Sequence, residues 1–244
     1  MFAYLLRRAL TLLFVLFGLA ILIFIIARIV PGDPARIALG PLATATQVSE
    51  LREEMGLDAS FPVQLWSYLS GLAQGDLGKS LLTSRPVMDD IRGALPATFE
   101  LVLVTIVLQI VVSIPLGVIA AIYRNMWVDN VLRVVSLIGV VTPGFVLAIM
   151  LQLIAAHYLG FLPITGRLDG GIDFNANITG LLLIDGALKG RFDVVLDAMR
   201  HLLLPAIALS AAGIGQVMRI TRTAMIEVAS RDFVEATRAY GIPE

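Results

Sequence analysis

The chain has 244 residues, 58% of them apolar and only 15% charged, and its mean hydropathy of +0.88 excludes an ordinary water-soluble domain. A formal net charge of -1 gives no reason to expect a nucleic-acid partner, which needs a clustered basic surface. The absence of cysteine excludes disulfides and thiolate chemistry, so the composition defines an integral membrane protein with an undetermined redox compartment.

The first apolar run follows Arg7 and Arg8 and extends from Ala9 to about residue 30. It exceeds the roughly 7 to 15 residues of a signal-peptide core, and no small-x-small cleavage site follows, so it reads as an uncleaved span. Residues 31–97 then form an insertion. Gln47 to Met55 reads as a helix stopped by Gly56, Pro62 to Leu72 as an amphipathic helix carrying Trp66 and Tyr68, and Gly75-Asp76-Leu77-Gly78 as a turn.

Residues 98–244 hold three more stretches long enough for a bilayer core of about 30 Å: roughly 99–122, 133–158 and 202–219. Pro115-Leu116-Gly117 and Thr142-Pro143-Gly144 should kink the second and third spans, because proline removes a backbone donor. Between the third and fourth spans lies a loop rich in Gly, Asp and Asn, Asp169 to Asn177. The apolar run Ile178 to Leu188 follows it; Asp185 and Gly186 interrupt this run, which reads as an interfacial or re-entrant helix. The fourth span is dense in small residues, with small-x-x-x-small spacing at Ala208/Ala212 and Ala211/Gly215, a face suited to close helix approach.

Four spans place both ends on one side. The short flanking segments carry Arg7, Arg8, Arg124, Arg133, Arg219, Arg222, Arg231 and Arg238, which the positive-inside rule assigns to the cytoplasm, N-terminus included. Ionisable residues in the spans fall near their ends: Arg28, Glu100, Arg133, His157 and Arg219. A carboxylate near the midplane, on which ion-driven carriers rely, is missing from the pattern, and so are the motifs of membrane hydrolases. The energy for any transport must therefore come from elsewhere. His157 and His201, the two histidines, do not make a metal site by themselves, and no metal is expected. Deeper polar residues, Gln109, Ser113, Ser136, Gln152, Ser210 and Gln216, serve either interhelical hydrogen bonds or a hydrated path, for which all but Ser113 are the candidates.

The C-terminal segment is a charged helix of about eight residues, roughly 12 Å long. Asp232 is placed as its N-cap with Glu235 at the third helical position, and Gly241 with Pro243 as its stop. A helix that short needs a groove to hold it.

The segment Glu235-Ala236-Thr237-x-x-x-Gly241 resembles the EAA loop of binding-protein-dependent ABC importer permeases, with Thr237 in place of the usual second alanine. Pro31-Gly32-Asp33-Pro34, Gly75 to Ser80, Leu95 to Leu101, Leu159 to Gly166 and Asp232-Phe233-Val234 are similar to the B-type permease of the dipeptide, oligopeptide, glutathione and nickel importers. The resemblance covers essentially the whole chain. It implies an all-α polytopic protein with the type I ABC importer permease fold, in the bacterial inner membrane, with an extracytoplasmic helical insertion after the first span. It also implies a second homologous permease, two cytoplasmic ATPases that bind the ATP and Mg, and a periplasmic solute-binding protein; the chain itself would be a transport subunit with no cofactor of its own, not an enzyme.

Asp232, Phe233, Glu235, Ala236, Thr237, Arg238 and Gly241 would couple to an ATPase, with Phe233 as apolar anchor, Glu235 and Arg238 as polar rim and Gly241 as hinge or cap. Family members continue through two further spans, so a truncated form with four of six spans is expected. Small peptides are the expected cargo. A non-transporting membrane fragment, a nickel importer permease and a passive channel are the alternatives.

Overall fold

The computed structural model describes residues 1–29, 33–80, 82–158, 160 and 162–241, and describes only the backbone at Ile29, Ala156, His157, Glu235, Thr237 and Arg238. The motif residues Pro31, Gly32, Leu159, Phe161 and Pro243 lie outside the described residues, as do the side chains of His157, Glu235, Thr237 and Arg238. The fold is all-α and carries apolar helices of membrane length. Two compact units divide within one helix, Met1–Gly93 and Ala94–Glu244.

The first unit opens with α1 (Phe2–Ile29). Most of its apolar side chains are exposed, as a helix facing lipid or another subunit requires; Ala20 and Phe24 are buried. Phe24 stacks on Tyr68 and meets Phe61 edge-on, each at 5.4 Å between centroids, which joins the end of α1 to α4 (Phe61–Ala73). Between them, α2 (Pro34–Leu39) is capped by the Asp33 carboxylate, and α3 (Ala45–Glu54) by a reciprocal Thr44/Gln47 capping box. That box starts α3 two residues before the expected Gln47. Ala35, Val48 and Leu57 form a small core beneath these helices. Arg52 bridges Asp33 at 3.1 Å and Asp58 at 2.9 Å across its edge. In the expected turn, the Asp76 carboxylate accepts from the Gly78 amide, while Gly75 and Gly78 adopt φ of 82° and 79°.

The second unit is built around α9 (Phe192–Ala229), a continuous helix of 38 residues, about 57 Å long. Against it pack α6 (Trp127–Val141), α7 (Gly144–Leu151) and α8 (Leu182–Leu188). The small-residue face of α9 makes this possible. A Cβ on Gly215 would lie 2.6 Å from the Ser136 carbonyl oxygen, and one on Gly139 would lie 3.0 Å from that of Ala211. The helix α5 (Val87–Ile122) touches α9 at Gly117, where a Cβ would fall 2.8 Å from the Met218 carbonyl oxygen.

The two proline motifs behave differently. Helix α5 runs through Pro115 as one element, whereas the stretch expected as the third span is two helices bent by 107°. Thr142 leaves the helix in an extended conformation, φ -74° and ψ 123°, as the residue before a proline prefers, and Pro143 then caps α7. A π-helical segment, Gln152–Tyr158, completes the second half. By length and apolarity, three described helices can cross a bilayer, or four if the bent pair counts as one span.

The segment from 162 to 181 is held by α5, α8 and α9, the last through the Asp169 amide, which donates to Asp197 at 2.7 Å. Glu100, buried on α5, accepts from Arg167 at 2.9 Å and from the Leu183 amide at 2.7 Å. Asp185 turns inward and accepts from the Thr179 hydroxyl and the amides of Ile178, Thr179 and Gly180. Burial pushes this carboxyl up, but those hydrogen bonds outweigh it and leave it below its ordinary value. Gly186 allows α8 to close on α9, since a Cβ there would lie 3.0 Å from Val195 Cγ2. The two residues that interrupt the apolar run are therefore the ones that position it.

Candidate functional site

The junction of α9 with the C-terminal helix α10 (Asp232–Ala239) is a turn of two residues. Helix α9 ends as the Ser230 amide bonds back to Ile226 and Glu227, and Arg231 pairs with Glu227 at 3.0 Å. The Val234 amide then donates to the Arg231 carbonyl, which opens α10. Asp232 is thus the first residue of the helix rather than the residue before it, a shift of one position caused by this tight turn. At the other end, the Tyr240 amide bonds to Ala236 and Gly241 adopts φ 73°, the left-handed conformation that terminates helices and favours glycine. Phe233 is 58% exposed and Tyr240 is 85% exposed, so an aromatic side chain lies uncovered near each end of the helix. Asp232 and Ala236 are exposed as well.

About two turns before its end, α9 is clamped to α6. Arg222 donates through Nε and Nη2 to the two oxygens of Asp129, both at 2.7 Å, in the bidentate geometry that guanidinium and carboxylate share. Asp129 is fully buried in the first turn of α6; it also accepts from the Asn125 amide at 2.9 Å and faces Arg133 Nε at 3.4 Å. Asn125 takes φ 63° to make the turn that aims its amide there. Sequence reading did not single out this pair, since 93 positions separate its partners. The available signal was an aspartate at the entrance to an apolar helix with an arginine one turn later.

Four of the five candidate path residues lie on or beside residues 210–216 of α9, and Gln152 lies in the π-helical segment. Gln109 on α5 lies against Gly213 of α9, and Ser136 on α6 lies against Gly215 with its hydroxyl donating to the Arg133 carbonyl. Ser210 is buried and donates to Ile207 on its own helix. Gln152 reaches the Ile164 carbonyl at 3.5 Å, and Gln216 is exposed.

Among the described residues, one group has metal-ligating chemistry: Asp169, Asp197 and His201, at the start of α9. The expectation of no metal weighed the histidines alone; the fold brings two carboxylates to one of them.

Helices of this length, apolarity and mutual packing, ending in a short exposed helix, define a polytopic α-helical membrane protein. Residues 113–244 match the model of the binding-protein-dependent transport system inner membrane component, and residues 1–102 match the N-terminal model of such membrane components. The chain belongs to this family of ABC importer permeases and is a transport subunit.

It is 38% identical over 237 residues to the probable D,D-dipeptide transport system permease protein DdpB of Escherichia coli K12, an alignment covering 97% of this chain and 70% of that protein. It is 38% identical over 241 residues to the dipeptide transport system permease protein DppB of Alkalihalophilus pseudofirmus, covering 99% and 72%. With the glutathione transport system permease protein GsiC of Escherichia coli K12 it shares 31% over 244 residues, covering 100% and 70%.

Proposed function

We propose that this chain is the permease subunit of an ATP-driven importer of small peptides, a dipeptide, an oligopeptide or glutathione. It forms half of the path beside a second homologous permease and works with two ATPase subunits and a periplasmic solute-binding protein. The cargo class rests on the relatives, whose names specify dipeptide and glutathione transport. The arginines around the short connections favour an N-terminus and an α10 on the cytoplasmic side.

The observation that carries the reading is the continuity from α9 into α10. A rod of 38 residues, clamped to α6 by Asp129 and Arg222, ends two residues before a short exposed helix. Motion imposed on α10 is transmitted along α9 because helices resist bending within their hydrogen-bonded length. Phe233 supplies the apolar anchor for an ATPase groove, the polar residues Asp232, Glu235, Thr237 and Arg238 with the small Ala236 supply its surroundings, and Gly241 closes the helix. Gln109, Ser136, Gln152, Ser210 and Gln216 remain the proposed polar lining; the cofactors, ATP and Mg, are bound by the partner subunits.

The test uses the complete transporter, expressed with its partners. Phe233→Ala is expected to lower co-purification of the ATPase subunits about tenfold, the consequence of losing one anchor of roughly 1.4 kcal/mol. Gly241→Val is expected to preserve ATP hydrolysis while labelled dipeptide uptake falls. Wild-type uptake and ATPase retention in both variants would refute the docking role of α10.

A further inference from the structure

Three groups that transport leaves unused meet where the segment after Leu162 returns to α9. Asp197 and His201 stand one turn apart on α9 and so share a face; their side chains are 9% and 3% exposed. Asp169 comes from the loop, its amide donating to Asp197 Oδ2 at 2.7 Å and its Oδ1 lying 3.9 Å from His201 Nε2. One donor atom from each of the three lies within 4.8 Å of the others.

The chemistry of the contacts selects the imidazole tautomer. His201 Nδ1 lies 2.9 Å from the Asp197 carbonyl oxygen, which can only accept, so Nδ1 carries the hydrogen. In the neutral ring, Nε2 is then a lone pair. It makes no hydrogen bond among the described residues, although its side chain is more than nine-tenths buried, and it faces a carboxylate oxygen. Two electron-rich atoms facing each other repel unless a proton, a water or a metal cation lies between them. Their 3.9 Å separation exceeds a hydrogen bond of at most about 3.2 Å. It is a few tenths of an ångström wider than the roughly 3.3–3.6 Å between two tetrahedral ligands that each bond one metal ion at about 2.0–2.2 Å, a gap that a small movement of the exposed Asp169 would close. An Nδ1–H held by a backbone carbonyl is also how metal-binding imidazoles are oriented.

The geometry points to a binding site for a divalent transition-metal cation, with His201 Nε2 and Asp169 Oδ1 as the first two ligands and the Asp197 carboxylate as the third. An imidazole beside carboxylates suits Zn²⁺, Co²⁺ or Ni²⁺, whereas Mg²⁺ and Ca²⁺ take oxygen ligands. Asp169 is 71% exposed and provides the entry. His201 and Arg167 both border a small cavity of about 170 Å³, and Glu100 pairs with Arg167 at 2.9 Å, so Arg167 brings no uncompensated positive charge to His201. The bound ion would tie the loop to the head of α9 independently of the transported solute.

Co²⁺ titration of the detergent-purified full chain, carrying no histidine tag, tests this through the visible absorption of the bound ion. One equivalent is expected to bind and to be displaced by Zn²⁺. His201→Gln should abolish the band, and Asp169→Asn, at an exposed position that does not threaten folding, should weaken binding by about tenfold or more. His157→Gln, at the other histidine, should leave it unchanged. No band in the wild type, or equal binding in His201→Gln and Asp169→Asn, would overturn the site and leave an ordinary ion pair between Asp169 and protonated His201. The readout involves no transport, so it stands or falls separately from the peptide-importer reading.

Discussion

Asp129 carries more of this structure than its place in the chain would lead one to expect. A carboxylate with no exposed surface is tolerable only while Arg222 and the Asn125 amide satisfy it, because stripping water from a charge costs several kcal/mol. Asp129→Ala should therefore destabilise the chain by about 3–5 kcal/mol, leaving the arginine half of the pair uncompensated. Asp129→Leu combined with Arg222→Leu should lose much less, and thermal unfolding of the three proteins distinguishes a pair that matters as a unit from two independent residues. Asp185 predicts a pH dependence. Its folded pKa is depressed, so its contribution is present above the ordinary carboxylate value of about 3.9 and is lost as pH falls through the folded value. Hydrogen exchange at the Thr179 and Gly180 amides, corrected for the intrinsic rate, should show protection at pH 6 that disappears in strong acid, while Asp185→Asn should lack that loss.

Helix α9 succeeds as a scaffold because small residues let its neighbours approach to backbone contact, and Gly117 of α5 meets it as closely from the other side. A Cβ there would sit 2.6 Å from Thr221 Cβ and 2.8 Å from the Met218 carbonyl oxygen, and a carbonyl within a helix cannot turn away. Gly117→Val should force the two helices apart at a cost of about 1–3 kcal/mol, read as a lower unfolding temperature. Thr221→Gly should rescue it only in part, since the carbonyl remains; full rescue would show that the side chain alone set the contact. The break at Thr142-Pro143 belongs to the same level of organisation. Proline motifs mark where a helix can be interrupted, and both were visible in the chain, but a neighbouring residue that stays helical at Pro115 and turns extended at Thr142 separates a continuous helix from a 107° bend.

Transport by this family requires that chemistry in a partner become movement in the membrane, and the rigid connection from α9 to α10 is the proposed route. Inserting two glycines between Ser230 and Arg231 should leave α10 able to fold and dock, because the helix keeps its own start at Arg231 and its end at Gly241. Uptake of labelled dipeptide by the complete transporter should nevertheless collapse while ATP hydrolysis continues, since a flexible joint transmits no torque. Uptake that survives the insertion would mean that force enters through another contact. The same logic makes the Asp129–Arg222 clamp part of the route, as it fixes the α9 end against α6 just ahead of the joint.

Membrane character, the apolar helices, the turn glycines at Gly75, Gly78 and Gly241 and the family itself were all readable from local patterns, because hydropathy, capping chemistry and left-handed glycine are properties of neighbours in the chain. The partners of Asp129, Glu100 and His201 were not. Each lone residue looks like an ordinary charge near a helix end, and what it does depends on a group brought to it across 93, 67 or 32 positions by the packing of separate elements. A one-dimensional pattern holds no record of those distances; they exist once the small-residue face of α9 has gathered α5, α6 and α8 around it.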